Sequence, residues 1–295
     1  YISIMVCIYL VLYFVILILE QKSGIGKAIL KFATGSILAG GMGAILILPE
    51  IVALSGSGSG GISFPEKMEW YFGLLDEAAR FCIGVEPSST VGHMPNLYCG
   101  AAILLLLFLY LLNRRIRIGA KIPRLLLVAF FFVSFANNKL DFIWHGFHYP
   151  NSLPCRQSYI YIFLVLFVCY RAYMNLRETP WKHVTAAFAG AVVFVLLAQK
   201  LVTEDHFHFI VYYVAILFLA LYLGAIALYQ KGERYYFPAL FYALAVVSIE
   251  AAVNTAVTSV PTTSRTAYTE DNEAVEQLVD SVQPNDSFFR MEKVS

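Results

Sequence analysis

The chain has 295 residues, of which 59% are hydrophobic and only 14% charged, with a net charge of +1. A water-soluble domain of this length needs more charged surface than that, and a near-neutral chain has no electrostatic footprint for nucleic acid. The charges fall in short runs between long apolar stretches, as expected when hydrocarbon solvates most of the surface.

A membrane-crossing helix needs about 20 mostly apolar residues. Eight stretches qualify as candidates: 1–19, 28–48, 97–113, 122–137, 157–175, 184–201, 207–229 and 236–259. The composition therefore predicts an all-α, polytopic transmembrane helical bundle of about eight spans over residues 1–260, with 261–295 opening an extracellular domain. The third and fourth stretches are short, which predicts little tilt or helix that continues past the core. The first stretch begins at Tyr1 with no charged leader, unlike a signal peptide. The last residues, Glu292-Lys293-Val294-Ser295, stop inside a polar segment, so the expectation is a fragment continued at both ends.

Lys and Arg set the orientation. Lys22 and Lys27, then Arg114, Arg115, Arg117, Lys121 and Arg124, then Arg171, Arg177 and Lys182, then Lys231 and Arg234 lie in alternate loops, which are read as cytoplasmic. Both ends of the chain and the loops 51–95 and 138–156 then face outside. The first of these loops starts at Ser55-Gly56-Ser57-Gly58-Ser59-Gly60-Gly61, a flexible linker by composition. The aromatic and charged run Phe64 to Leu75 predicts a helix lying at the membrane interface. Within the second span, Gly35, Ser36, Ala39, Gly40, Gly41, Gly43 and Ala44 permit close helix–helix packing. Past Thr262 the chain turns polar, and Asn272 to Val282 has the periodicity of an amphipathic helix.

Of five cysteines, Cys7 and Cys169 lie in apolar spans; Cys82, Cys99 and Cys155 lie on the outer side, where pairing is left open by the sequence. No spacing of Cys and His marks a metal site.

Chemistry concentrates in the run Asn137 to Arg156. Asp141, His145 and His148 share a face on a helical turn, and Arg156 stands at the mouth of the next span. Imidazole and guanidinium at a membrane surface suit an anionic ligand such as a lipid phosphate. The same residue types also suit a structured loop anchored by Trp144, Tyr149 and Tyr159. His93-Met94-Pro95-Asn96-Leu97-Tyr98-Cys99-Gly100 reads as a helix start. Thr203-Glu204-Asp205-His206 with His208 reads as a short solvated loop. Glu250, with Asn254 one turn on, lies inside the last span, where a charge faces a bundle interior and calls for a function or a partner such as Arg or His.

Pro95-Asn96-Leu97-Tyr98-Cys99-Gly100, followed by Ile143-Trp144-His145-Gly146-Phe147-His148-Tyr149-Pro150-Asn151 and then Arg156, resembles the bacterial YfhO family. Leu38-Ala39-Gly40-Gly41 running to Leu48-Pro49, and Asp286-Ser287-Phe288-Phe289-Arg290-Met291-Glu292, fit the same pattern. The resemblance implies a glycosyltransferase of the multi-span C type, taking a sugar from an undecaprenyl-phosphate donor to lipoteichoic or wall teichoic acid. It implies inversion at the anomeric carbon by a carboxylate base, expected upstream of Tyr1, and a divalent metal in some members but not others. Carried onto this chain, it marks His145, His148, Arg156 and Asn151 for the donor phosphate or sugar. Glu250 joins them as a substrate-binding candidate on its intramembrane position. A transporter or flippase of a lipid-linked or anionic substrate is the alternative, and a non-catalytic envelope scaffold the third reading.

Overall fold

The structure, a computed structural model, describes residues 2–21, 23–56, 64–87, 94–148, 155–202, 208–259, 264–270 and 272–282. It comprises two units, Tyr1–Thr258 and Ser259–Ser295. The first contains α1 (Ile2–Glu20), α2 (Ile25–Ser55), α3 (Leu74–Ala78), α4 (Ala102–Leu112), α5 (Ile118–Ala136), α6 (Asn138–Trp144), α7 (Ser158–Tyr173), α8 (Trp181–Leu201), α9 (Phe209–Gln230) and α10 (Tyr236–Thr258). The second contains α11 (Arg265–Thr269) and α12 (Asn272–Val282). In α12 the amphipathic helix covers the residues its periodicity marks.

Backbone N–H and C=O groups find no partner in hydrocarbon, so an apolar run that enters it must pair them within itself, as a helix. Among the described residues six helices (α1, α2, α5, α8, α9 and α10) are long and apolar enough to cross a membrane. The protein is a polytopic helical membrane protein. Helices occupy all eight of the expected stretches, but the count of about eight spans falls to six, because α4 and α7 have only 11 and 16 residues. At 1.5 Å per residue α4 covers about 17 Å, well short of a bilayer core of about 30 Å. Composition hides this, because residues 97–101 are apolar enough to continue the run yet adopt no helix; Gly100 there has φ +107°.

The short α4 is the centre of the bundle, packed by α7, α8 and α9, while α9 also packs on α8 and α10. Its Leu105 and Tyr110 join Phe131, Leu164, Val168, Ala187, Ala191 and Leu219 in a core closed to solvent. Gly190 of α8 makes the approach to α4 close: a Cβ there would stand 2.8 Å from the Phe108 ring. By contrast, no residue in the apolar stretch of α2 is buried, and a Cβ on Gly35, Gly40 or Gly41 would meet nothing within 4 Å. These three glycines therefore mark no close approach to another described helix. α2 touches α1 through the stacked rings of Phe14 and Phe32, 4.1 Å between centroids.

The interfacial helix expected over Phe64 to Leu75 is a second correction. Helix begins only at Leu74. Residues 64–73 run instead along the junction of α5 and α6, with Trp70 bridged to Asn137 in antiparallel sense. The Tyr71 N–H donates to the Ala136 carbonyl at 2.9 Å and the Asn138 N–H to the Glu69 carbonyl at 3.2 Å. These cross-chain bonds replace the intrahelical ones that the local composition suggested. The glycine-serine run beyond Gly56 lies outside the described residues.

Candidate functional site

Asn137 leaves helical geometry (φ −103°, ψ 122°), ending α5 and starting α6 in one step. Its side-chain oxygen accepts from the N–H groups of Lys139 and Leu140, both at 3.2 Å, and caps α6. That turn buries Asp141, Trp144 and His145 together. His145 Nδ1 lies 2.9 Å from the Asp141 carbonyl oxygen and 3.3 Å from its Oδ1. Gln157, just ahead of α7, donates from Nε2 to the same Oδ1 at 3.3 Å. Asp141 Oδ2, His145 Nε2 and Gln157 Oε1 are buried with no hydrogen-bond partner among the described residues. Buried polar atoms are paired in the great majority of cases, so three neighbouring exceptions single this cluster out as a candidate site. Backbone strain flanks the cluster: Phe147 (φ +64°) and Cys155 (φ +57°) both occupy the left-handed region, which costs about 1–2 kcal/mol for residues with a Cβ.

A second acid group lies nearby. Glu77 of α3 has no solvent exposure, and neither of its carboxyl oxygens has a partner among the described residues. Burial pushes its carboxyl up to about 9. The Cys155 thiol is raised by burial and further by the charges of Asp141 and Glu77, with Arg80 acting in the opposite sense, so the four groups share one neighbourhood. All five cysteines are free thiols. Among the described residues no cluster of three His, Cys, Asp or Glu side chains could hold a metal ion.

The segment 95–100 forms a separate constellation. Buried Arg80 donates from Nε to the Pro95 carbonyl (2.9 Å), from Nη1 to the Glu86 carbonyl (2.8 Å) and from Nη2 to Asn96 Oδ1 (2.5 Å). Tyr98 donates its hydroxyl to Glu250 Oε1 at 2.6 Å, and the Ala101 N–H reaches the same oxygen at 2.5 Å. Tyr222 of α9 donates to Glu250 Oε2. The left-handed turn at Gly100 is what aims the Ala101 N–H, at the start of α4, toward that carboxylate. Asn254, one turn on, accepts from the Gly84 N–H at 3.0 Å.

The family model described as Bacterial membrane protein YfhO matches residues 1–295. The chain belongs to the YfhO family. No curated protein and no solved structure matches it.

In this YfhO chain the two motifs have different duties. His145, with Asp141 one turn ahead of it, forms the buried dyad; the 95–100 run ties Arg80 to the intramembrane Glu250. Of the residues singled out from sequence, His145 is buried on Asp141, while His148 and Arg156 are half-buried. Arg156 stands between Cys155 and Gln157, the neighbours of Asp141 just described. Glu250 belongs to the other constellation, and its partners are two tyrosines and a backbone N–H in place of the expected Arg or His. Asn151 lies outside the described residues, as do 203–206. Sequence reasoning passed over Glu77, Arg80 and Gln157. Their signal was available: Glu77 and Arg80 bracket Ala78-Ala79 and precede Phe81-Cys82-Ile83, charges embedded in an apolar run.

Proposed function

We propose that the chain is the membrane portion of a glycosyltransferase. It would move a sugar from an undecaprenyl-phosphate-linked donor to a cell-envelope polymer such as teichoic acid, on the outer face of the membrane. The observation that carries this reading is the buried Asp141–His145–Gln157 cluster beside Arg156, in a chain that the family model matches from end to end. The excess of Lys and Arg in the loops at the opposite end supports the outward orientation of this end.

In this reading the leaving group is a lipid phosphate, whose charge grows as the glycosidic bond breaks. Arg156 offers a planar guanidinium fork to phosphate oxygens. His148 adds a second polar contact. His145, its Nδ1 engaged by Asp141, leaves Nε2 as the ring nitrogen with no partner among the described residues. Removing one preorganised donor of this kind costs about a hundredfold in rate.

A transporter would need polar groups at mid-membrane that are open to cargo. Glu250 is the deep carboxylate, and three donors already occupy it, which favours the enzyme. The test is His145→Ala and Arg156→Ala in the full-length protein in cells, read as teichoic-acid glycosylation at matched protein levels. Loss of the sugar supports the proposal; full decoration in both variants overturns it and favours a scaffold.

A further inference from the structure

At the end of the bundle opposite the dyad, the α4–α5 loop, the end of α1 and the end of α7 enclose a cavity of about 860 Å³. Arg115, Arg117 and Arg171 line it, and the facing wall is apolar: Leu19, Phe167 and Met174. The carboxylates of this end are already engaged. Glu20 pairs with Arg124, Glu178 with Arg115, and Glu233 with Arg177 at 3.5 Å. Arg117 and Arg171 have no carboxylate within ion-pair distance among the described residues. The cavity thus joins two guanidiniums without acidic partners to a hydrocarbon-like wall, within reach of the membrane that the exposed Leu19 and Met174 side chains face.

We propose that this cavity binds the phosphate of an anionic amphiphile, with Arg117 and Arg171 on the head group and Leu19, Phe167 and Met174 against the first carbons of its chains. Basic pockets between spans at a membrane surface recognise anionic lipid heads through the same combination of charge and depth. A solvated face of arginines alone would lack the apolar wall and the enclosed volume. The Glu20–Arg124 pair forms a neutral floor: Arg124 is buried, and its guanidinium lies 5.9 Å from the Tyr13 ring centroid and 6.0 Å from that of Phe167. The proposal does not depend on the glycosyltransferase reading.

The experiment uses the full-length protein in detergent, with phosphatidylglycerol, phosphatidylcholine or inorganic phosphate added and retained ligand counted by native mass spectrometry. Wild-type protein is expected to retain phosphatidylglycerol over phosphatidylcholine by about tenfold, as two uncompensated guanidiniums at a membrane surface imply. The preference should collapse in Arg117→Gln/Arg171→Gln and persist in Arg114→Gln, which lies outside the cavity lining. Arg117 is exposed on a loop, so Arg117→Gln alone provides a variant whose folding is not at stake and should show a partial loss. Retention unaffected by millimolar inorganic phosphate assigns the site to a lipid head; full competition assigns it to a soluble phosphate. Equal retention of the two lipids by wild type, or an undiminished preference in the double variant, overturns the proposal.

Discussion

His145 is held by the residue one helical turn before it: Nδ1 lies between the Asp141 carbonyl oxygen, at 2.9 Å, and the Asp141 carboxylate, at 3.3 Å. Both contacts fix the ring on one edge and present Nε2 on the other. Asp141 also accepts from Gln157, so this one carboxylate orients two side chains from different elements. Asp141→Ala removes the anchor of both and should lower stability by about 3 kcal/mol, as loss of one member of a buried polar pair does. Asp141→Asn keeps the shape and should cost about 1 kcal/mol, but it removes the negative charge facing the ring. On the proposed mechanism both variants lose teichoic-acid glycosylation. Thermal melting in detergent beside cellular glycosylation separates the two effects. An Asp141→Asn protein with full activity would remove the charge from the mechanism.

Glu77 gives a pH dependence whose sign is fixed. Its carboxyl holds a proton up to about 9 in the folded protein, because burial disfavours the charged form, against 4.5 in the open chain. Between those values the unfolded state loses the proton and the folded state keeps it. The folded state therefore binds more protons, and stability falls as pH rises through the window at up to about 1.4 kcal/mol per unit. Glu77→Gln carries no proton to lose. Its melting temperature should exceed that of the wild type by a margin that grows from the acid to the alkaline side of the window. A margin that stays flat with pH would show that Glu77 is not buried as a neutral acid.

Glu250 predicts a different pattern, one of graded loss. Its carboxylate receives Tyr98, Tyr222 and the Ala101 N–H. Glu250→Ala leaves three donors unpaired in apolar surroundings, each worth about 1–3 kcal/mol, and should be the most damaging substitution in the bundle. Tyr222→Phe removes one hydrogen-bond donor to the carboxyl group and should cost about 1 kcal/mol. Tyr98→Phe should cost a similar amount. The double variant should fall short of the sum, because the two hydroxyls share one acceptor group. Thermal unfolding of the four proteins checks this. Glu250→Ala melting with the wild type would mean that the carboxylate does not hold α4, α9 and α10 together.

Legibility followed the range of the interaction. Apolar runs placed the spans because hydrocarbon acts on each segment separately, and the period of α12 is likewise local. The polar run 137–156 stood out because Asp, His and Arg are costly near hydrocarbon wherever the rest of the chain lies. What composition could not show is what distant residues do to a segment. Residues 97–101 remain apolar while the turn at Gly100 delays the helix. Residues 64–73 have an interfacial composition, yet they are non-helical and bonded to residues about 70 positions away. Glu250 announced a need for a partner, but Tyr222 and Tyr98 are as inconspicuous in sequence as any other tyrosine in an apolar helix.

The clasp between residues 64–73 and α6 rests on one side chain more than any other. Asn138 Oδ1 accepts from the Glu69 N–H at 3.0 Å, and its Nδ2 donates to the Lys67 carbonyl at 3.0 Å. The neighbouring Lys139 adds a bond from Nζ to the Glu66 carbonyl at 3.2 Å, and Phe64 meets Phe142 edge-on at 5.5 Å. Asn138→Ala deletes both side-chain bonds while the two backbone bonds stay, so the loop should loosen by about 1–3 kcal/mol without unfolding the bundle. Asn138→Asp keeps the acceptor and loses the donor, and should lie between. Lys67 is exposed within the clasp, which makes trypsin a direct reporter. Cleavage after Lys67 should accelerate in the order wild type, Asn138→Asp, Asn138→Ala, while the melting temperature of the bundle stays nearly constant. Equal cleavage rates would mean that the backbone bridge at Trp70 and Asn137 holds the loop alone. A parallel drop in melting temperature would mean that the loop is part of the core and not a strap laid over it.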